Sequence, residues 1–192
     1  MAKLTGLKII KTVVFISGTG SNLKNLIKFS KIKKSPISIN LIISNTKKAT
    51  GLKYADQFYI KKKIYNFQKI EVTEKNILAL LEKKKINLIC LAGFMKILSQ
   101  DFIKKFDGKI INIHPSLLPK YKGLNTHKNA LKNKDKFAGC TVHHVTKKLD
   151  SGKIILQKKI KIATNDNYTS LAKKVLKLEH KLYPAAIIKI FS

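Results

Sequence analysis

Residues 8–17 read KIIKTVVFIS, a β-branched apolar run of the kind a strand buried on both faces requires. The run breaks at Gly18-Thr19-Gly20-Ser21-Asn22, after which Leu23, Leu26, Ile27 and Phe29 recur at helical spacing. Residues 36–44 predict a second strand, 50–58 a short helix, and Ile64-Tyr65-Asn66 a brief third strand. Ile77, Leu78, Leu80 and Leu81 predict a helix over 73–85, with Thr73 as its N-cap. A fourth strand is expected at 87–92, a short helix capped by Ser99 at 99–106, and a fifth strand at 109–113. Beyond Pro119 the pattern changes. Residues 138–146 and 153–162 predict two longer strands joined by the turn-like Leu149-Asp150-Ser151-Gly152, a pair free to run antiparallel. One long helix is expected over 167–190, broken or bent at Pro184. Strands alternating with helices imply βαβ units, so the expected class is α/β: one mostly parallel twisted sheet, helices on both faces, and an antiparallel C-terminal strand pair.

Composition alters this picture at one point. The 192 residues suffice for one domain with a real core, and the 44% apolar content is ordinary. The net charge of +30 is not, and such a charge ordinarily points to nucleic acid. Here all 40 basic residues are lysine, whereas bidentate recognition of bases and phosphates favours arginine. The lysines are scattered and accompany an excess of Ile and Asn, residues that share AT-rich codons. Mutational bias therefore accounts for the charge better than a specific nucleic-acid partner does. Cys90 sits in an apolar run and Cys140 opens a later strand, a spacing that suits neither a disulfide framework nor a metal site. No apolar run approaches a membrane span, and lysines interrupt residues 1–11, so no signal peptide is expected. These features fit a reduced, cytoplasmic setting with no membrane partner.

The candidate chemistry concentrates at Asn112-Ile113-His114-Pro115. In an extended run, residues two apart share a face, so Asn112 and His114 project together, and Pro115 ends the ladder. A carboxamide beside an imidazole suits a carbonyl that becomes a tetrahedral oxyanion. Asp150 is by itself a turn residue. If the fold brings it to His114, its carboxylate favours the imidazolium. At Ser17–Leu23 (SGTGSNL) glycines permit a tight strand–helix turn, and free N–H groups at the helix start suit one small phosphate. The spacing is neither that of a dinucleotide fingerprint nor of a P-loop. Phe94, Met95, Ile97 and Leu98 follow the fourth strand, where an open α/β sheet binds its ligands, and can line a slot for a flat ring.

Taken together, SGTGSNL, LAGFMKILS, NIHPSLLPKYKG and GCTVHHVTKKLDSGKIILQ resemble the phosphoribosylglycinamide formyltransferase family, the folate-dependent enzymes of purine biosynthesis. The likeness runs from about Val13 to Pro184. NIHPSLLP marks the wider formyltransferase superfamily; SGTGSNL and the Glu179-His180…Tyr183-Pro184 ending point to this branch. The resemblance implies a single Rossmann-like formyltransferase domain over 1–192, with a mononucleotide-binding half to about 113 and a folate and catalytic half from about 114. It implies that Asn112, His114 and Asp150 are catalytic and that 10-formyltetrahydrofolate is the co-substrate, with no metal. Gly20, Ser21 and Asn22 match positions that hold the ribotide phosphate, and Glu179 the position that contacts the glycinamide amine. Met95, Lys96, Ile97 and Leu98, with Asn112 and with Thr146, Lys147, Lys148, Leu149 and Asp150, match folate-binding positions. A monomer or weak homodimer is expected.

The chain departs from the family in four ways. Lys122 stands where Pro is common, and Asn125 where His is common. The family's folate-binding arginine has no counterpart, Lys69 being the candidate substitute. The chain also ends soon after Pro184. Among alternatives, a methionyl-tRNA formyltransferase would need a further C-terminal domain and a formyltetrahydrofolate hydrolase an added N-terminal one. A basic nucleic-acid-binding module would need clustered arginine or interleaved aromatics.

Overall fold

The computed structural model describes residues 9–191; Lys8, which begins the predicted opening strand, lies outside them with the rest of 1–8 and Ser192. Strand β1 (Ile10–Ile16) turns Val13 and Phe15 to one face of the sheet and Val14 and Ile16 to the other, all fully buried. This two-sided burial is why the run is continuously apolar instead of alternating. There follow α1 (Ser21–Ser30), β2 (Ile37–Ser44), a 3-10 turn (Thr50–Leu52) that runs into α2 (Lys53–Gln57), β3 (Lys62–Ile64), α3 (Ile70–Lys83), β4 (Leu88–Leu91) and α4 (Gln100–Lys105). The chain continues through β5 (Lys109–His114), α5 (Thr126–Lys132), β6 (Phe137–His144), β7 (Ile154–Lys161) and α6 (Tyr168–Phe191).

The seven strands are ordered β3-β2-β1-β4-β5-β6-β7, parallel through β5, with β6 and β7 antiparallel. On one face, Leu23, Leu26 and Ile27 of α1 and Leu171, Val175 and Tyr183 of α6 pack with Val14, Cys90 and Ile111. On the other, Ile77 and Leu81 of α3 and Phe102 of α4 pack with Phe15, Leu41 and Ile89. The expected three-layer α/β domain is therefore present.

Several local expectations are corrected. β3 lies two residues earlier than predicted, pairing Ile42 with Lys62 and Ser44 with Ile64; it is an exposed edge strand, so its apolar pattern carries no register. α3 begins at Ile70, ahead of the predicted cap. Thr73 lies inside its first turn and donates its hydroxyl to Asn66 O at 2.6 Å. The Ser99 cap is as expected, accepting from Phe102 N at 3.0 Å. α5 was not predicted, because its seven residues bury only Thr126 and Ala130. β5 extends through His114.

Helix α6 continues through Pro184 without a break. A proline has no N–H to give, which orphans the carbonyl four residues earlier, that of His180. Asn25 of α1 supplies the missing donor: its Nδ2 lies 2.6 Å from His180 O. Tyr183 pins the same helix to the sheet, donating to Leu91 O at 2.9 Å and lying 3.2 Å from Ile111 O.

Candidate active site

The strand order reverses between β1 and β4, and ligands of open α/β sheets sit beyond the strand ends at such a point. The loops that leave those two strands are bonded to each other there. Ser17 N donates to Gly93 O at 3.0 Å, and Met95 N to Ser17 Oγ at 2.8 Å. Beside them opens a cleft of about 860 Å³ lined by Asn22 and Glu179, by Asn112, His114 and Asp150, and by the 95–98 and 146–149 loops.

Asn112 and His114 are brought together by β5 as its two-residue period requires, whereas Asp150 reaches them only through the β6–β7 loop. That loop turns back because Gly152 has no side chain: a Cβ there would lie 1.7 Å from His144 O. Asp150 adopts a left-handed backbone (φ 45°), which aspartate tolerates better than most residues. Its Oδ2 is 3.4 Å from His114 Nδ1 and accepts from Gly123 N at 2.8 Å. On the far side of its ring, His114 Nε2 meets Tyr121 O at 2.8 Å. Both imidazole nitrogens thus face acceptors, Tyr121 O within hydrogen-bond distance of Nε2 and the Asp150 carboxylate in ion-pair distance of Nδ1. Burial alone would raise the Asp150 carboxyl. The His143 ring, the Gly123 amide and the charge of His114 outweigh it and hold the group below the usual carboxylate range.

His143 was not picked out from the sequence. It pairs opposite Asn112 across β5 and β6, and its Nε2 lies 3.2 Å from Asn112 Nδ2 and 3.5 Å from Asp150 Oδ1. Its Nδ1 donates to His144 O at 2.9 Å; protonated on both nitrogens the ring turns an Nε2 proton to Asp150 Oδ1, and in the neutral ring Nε2 accepts instead from Asn112. That bond takes one N–H of the Asn112 carboxamide and leaves the other free. The only sequence signal was the His143-His144 pair in GCTVHH; which of the two faces Asn112 depends on antiparallel register.

At the head of α1, Gly20 is the N-cap, with a left-handed φ of 71°. It packs on Gly51 so closely that a Cβ on Gly20 would lie 2.8 Å from Gly51 Cα. The first N–H groups of a helix have no partner within it. Gly20 and Ser21 do not line the main cleft; Asn22 does. Asn22 Nδ2 donates to Glu179 Oε2 at 2.6 Å, and Asn22 Oδ1 is buried without a partner among the described residues. Burial pushes the Glu179 carboxyl up to about 7, against the lowering effect of Asn22. Ser21 Oγ lies 2.6 Å from His180 Nε2.

The apolar slot divides. Met95 and Ile97 are exposed at 62% and 66%, free to meet a ligand, while Leu98 is buried and Phe94 packs edge-on against Phe15 and Phe67. Lys96, Lys147 and Lys148 line the cleft; Lys69 does not, standing exposed at the cap of α3. Lys122 donates to Ser151 Oγ at 2.6 Å, and Asn125 caps α5 with a left-handed backbone and no side-chain bond. Cys90 and Cys140 are free and buried, their thiols pushed up to about 12 by burial. Among the described residues no helix is long and apolar enough to cross a membrane. Nor is any group of three or more His, Cys, Asp or Glu arranged to hold a metal ion.

Residues 10–187 match the Formyl transferase family. The trifunctional purine biosynthetic protein adenosine-3 of Homo sapiens is 41% identical over 181 residues, covering 92% of this chain but 18% of that protein. The chain thus spans under a fifth of such trifunctional relatives. The phosphoribosylglycinamide formyltransferase of Escherichia coli is 39% identical over 178 residues, covering 91% of this chain and 84% of the relative. The crystal structure of the Brucella melitensis phosphoribosylglycinamide formyltransferase superposes with a TM-score of 0.91 at 42% identity, covering 96% of this chain and 97% of that one.

Proposed function

This chain belongs to the formyl transferase family, alongside the phosphoribosylglycinamide formyltransferases, and on that premise we propose that it moves the formyl group of 10-formyltetrahydrofolate to the amine of glycinamide ribonucleotide. The observation that carries the reading is the convergence of Asn112, His114 and Asp150 at the end of β5, inside a cleft that also reaches Asn22 and Glu179. In this reading the free N–H groups at Gly20, Ser21 and Asn22 hold the ribotide phosphate, and Glu179 meets the substrate near its amine. The exposed Met95 and Ile97, with Leu149, offer an apolar wall for the flat folate ring, and Lys96, Lys147 and Lys148 offer charge to its carboxylates. The donor set fits the co-substrate without the missing arginine.

The amine nitrogen attacks the formyl carbon and forms a C–N bond while the formyl C=O becomes an oxyanion. The N–H of Asn112 that His143 leaves free donates to this oxygen, and His114 joins it by exchanging the Tyr121 carbonyl for the oxyanion. Collapse breaks the bond between the formyl carbon and the folate nitrogen. The amine's proton leaves toward Asp150, directly or through water, and His114 returns one to the departing nitrogen. Formylglycinamide ribonucleotide and tetrahydrofolate result, and no metal enters a step. The protein acts on small molecules, as a monomer or weak homodimer, with the half to about residue 113 serving the ribotide and the remainder serving folate and catalysis.

The test is formyl transfer from 10-formyltetrahydrofolate to glycinamide ribonucleotide, followed by the absorbance of the deformylated folate. Turnover is expected in the wild type and a fall of about two orders of magnitude or more in His114→Ala and in Asp150→Asn. Near-normal turnover in either folded variant would remove the trio from the mechanism.

A further inference from the structure

The pairing of Ser21 with His180 lies at the head of α1 and takes no part in the chemistry above. We propose that His180 is a positioning residue for the substrate phosphate, taking up one proton from solvent as an anion binds and passing a hydrogen bond to it through Ser21. The inference rests on the reading that this helix start holds the phosphate. Independently, the buried Asn22 Oδ1, in a residue 9% exposed, lacks a donor among the described residues, which points to a hydroxylated ligand beside the head of α1.

The geometry sets the argument. His180 Nε2 is 2.6 Å from Ser21 Oγ, and the His180 backbone is clamped by Asn25 through the carbonyl that Pro184 orphans. The imidazole is therefore held in place, and burial keeps it below the usual histidine range. In the neutral form protonated at Nδ1 the Ser21 hydroxyl donates to Nε2. That hydroxyl has a single proton and cannot serve the imidazole and an anion together. When it turns to the anion, Nε2 must carry the hydrogen between them; exchange of tautomer would supply one without charge, whereas a proton from solvent supplies it together with a positive charge that the anion stabilises. The imidazolium then donates to Ser21 Oγ, Ser21 donates to the anion, and a positive charge stands one hydroxyl away from it.

The chain around the pair is rich in lysine. On α1, Lys24 and Lys28 follow Ser21 and Asn25 by three residues, and on α6 Lys177 and Lys181 flank His180. Glu179, the acidic neighbour, is turned to Asn22. Burial favours the neutral imidazole until an anion arrives and offsets it. The sign follows: His180 has a higher pKa with the anion bound than without it. Anion affinity is then greatest below the free-protein pKa and falls by about tenfold per pH unit between the two values.

Inorganic sulfate is the probe, because it does not itself titrate over this range. In the whole chain, nitrogen NMR of the His180 ring and of the Gly20, Ser21 and Asn22 amides is followed from pH 5 to 9, with and without sulfate. The expected result is movement of those amides together with a rise of the His180 pKa by about one unit or more. Calorimetry in buffers of different ionisation enthalpy should record the matching proton uptake. His180→Gln keeps a polar side chain and cannot titrate. It should bind sulfate about tenfold more weakly at low pH, lose the pH dependence, and raise KM for the ribotide more than it lowers kcat. If the amides move while the His180 pKa does not, this inference falls and the phosphate reading stands. If the amides do not move, both fall.

Discussion

Glu179 shows how one buried side chain can work against the fold that holds it. Its carboxyl is pushed up from the ordinary 4.5 to about 7, chiefly by burial. Between those pH values the folded protein keeps a proton that the unfolded chain has lost, so this group's contribution to stability falls as pH rises through the window. Above it the cost is on the order of 3 kcal/mol. Glu179→Gln is therefore expected to gain stability over the wild type by about 1–3 kcal/mol at pH 8 and little at pH 4, while binding the ribotide less well. Urea unfolding of both proteins at the two pH values checks this; a gain that does not depend on pH would contradict it. His127, His144 and His180, held low by burial, give a slope of the opposite sense below about 6.5, but both proteins share it. The trade is intelligible if the carboxylate is kept for a substrate and not for the fold.

Among the elements, the α1 head and the 3-10 turn make a close backbone contact that bears on the site. A Cβ on Gly51 would lie 2.7 Å from Gly20 Cα and 2.8 Å from Gly20 N, and both neighbours are backbone. Neither can move aside without moving the N–H groups assigned to the phosphate. Gly51→Ala should cost about 1–3 kcal/mol, the scale of an overpacked core, and lower Tm by several degrees. It should also raise KM for the ribotide well above any change in KM for the folate, since the 95–98 loop hangs on Ser17 instead. Steady-state kinetics with each substrate varied in turn decides between this and a uniform loss of activity.

For the whole molecule, the charge of +30 is the dominant long-range term. It repels itself most in the compact state, where the lysines are closest. Salt should therefore stabilise the fold, with Tm rising as ionic strength goes from about 0.01 M to 0.15 M and the screening length falls from about 30 Å to 8 Å. The same lysines should bind random RNA or DNA weakly and without sequence preference, in a manner that fades steeply with salt as counterion release dictates. Scanning calorimetry and a nucleic-acid titration at about 0.15 M salt test both. A sequence-dependent complex that survives that salt would restore a specific nucleic-acid role for the charge.

What the sequence determined by itself was whatever depends on local pattern. The apolar runs at β1, β2, β4 and β5 read correctly because strands buried on both faces need no register to be recognised. The Asn112–His114 pair read correctly because a two-residue period is intrinsic to a strand. β3 slipped and α5 went unseen because each buries too little to leave a pattern. Tertiary structure alone decided the rest. It brought Asp150 to 3.4 Å from His114 across 36 residues of chain, by a turn that only Gly152 allows. It chose His143 over His144 as the partner of Asn112, through the register of an antiparallel pair. It carried α6 through Pro184, where local rules expect a break, because Asn25 of another helix supplies the donor that the orphaned carbonyl lacks. Long-range hydrogen bonds and register are properties of pairs of segments, and no single segment encodes them.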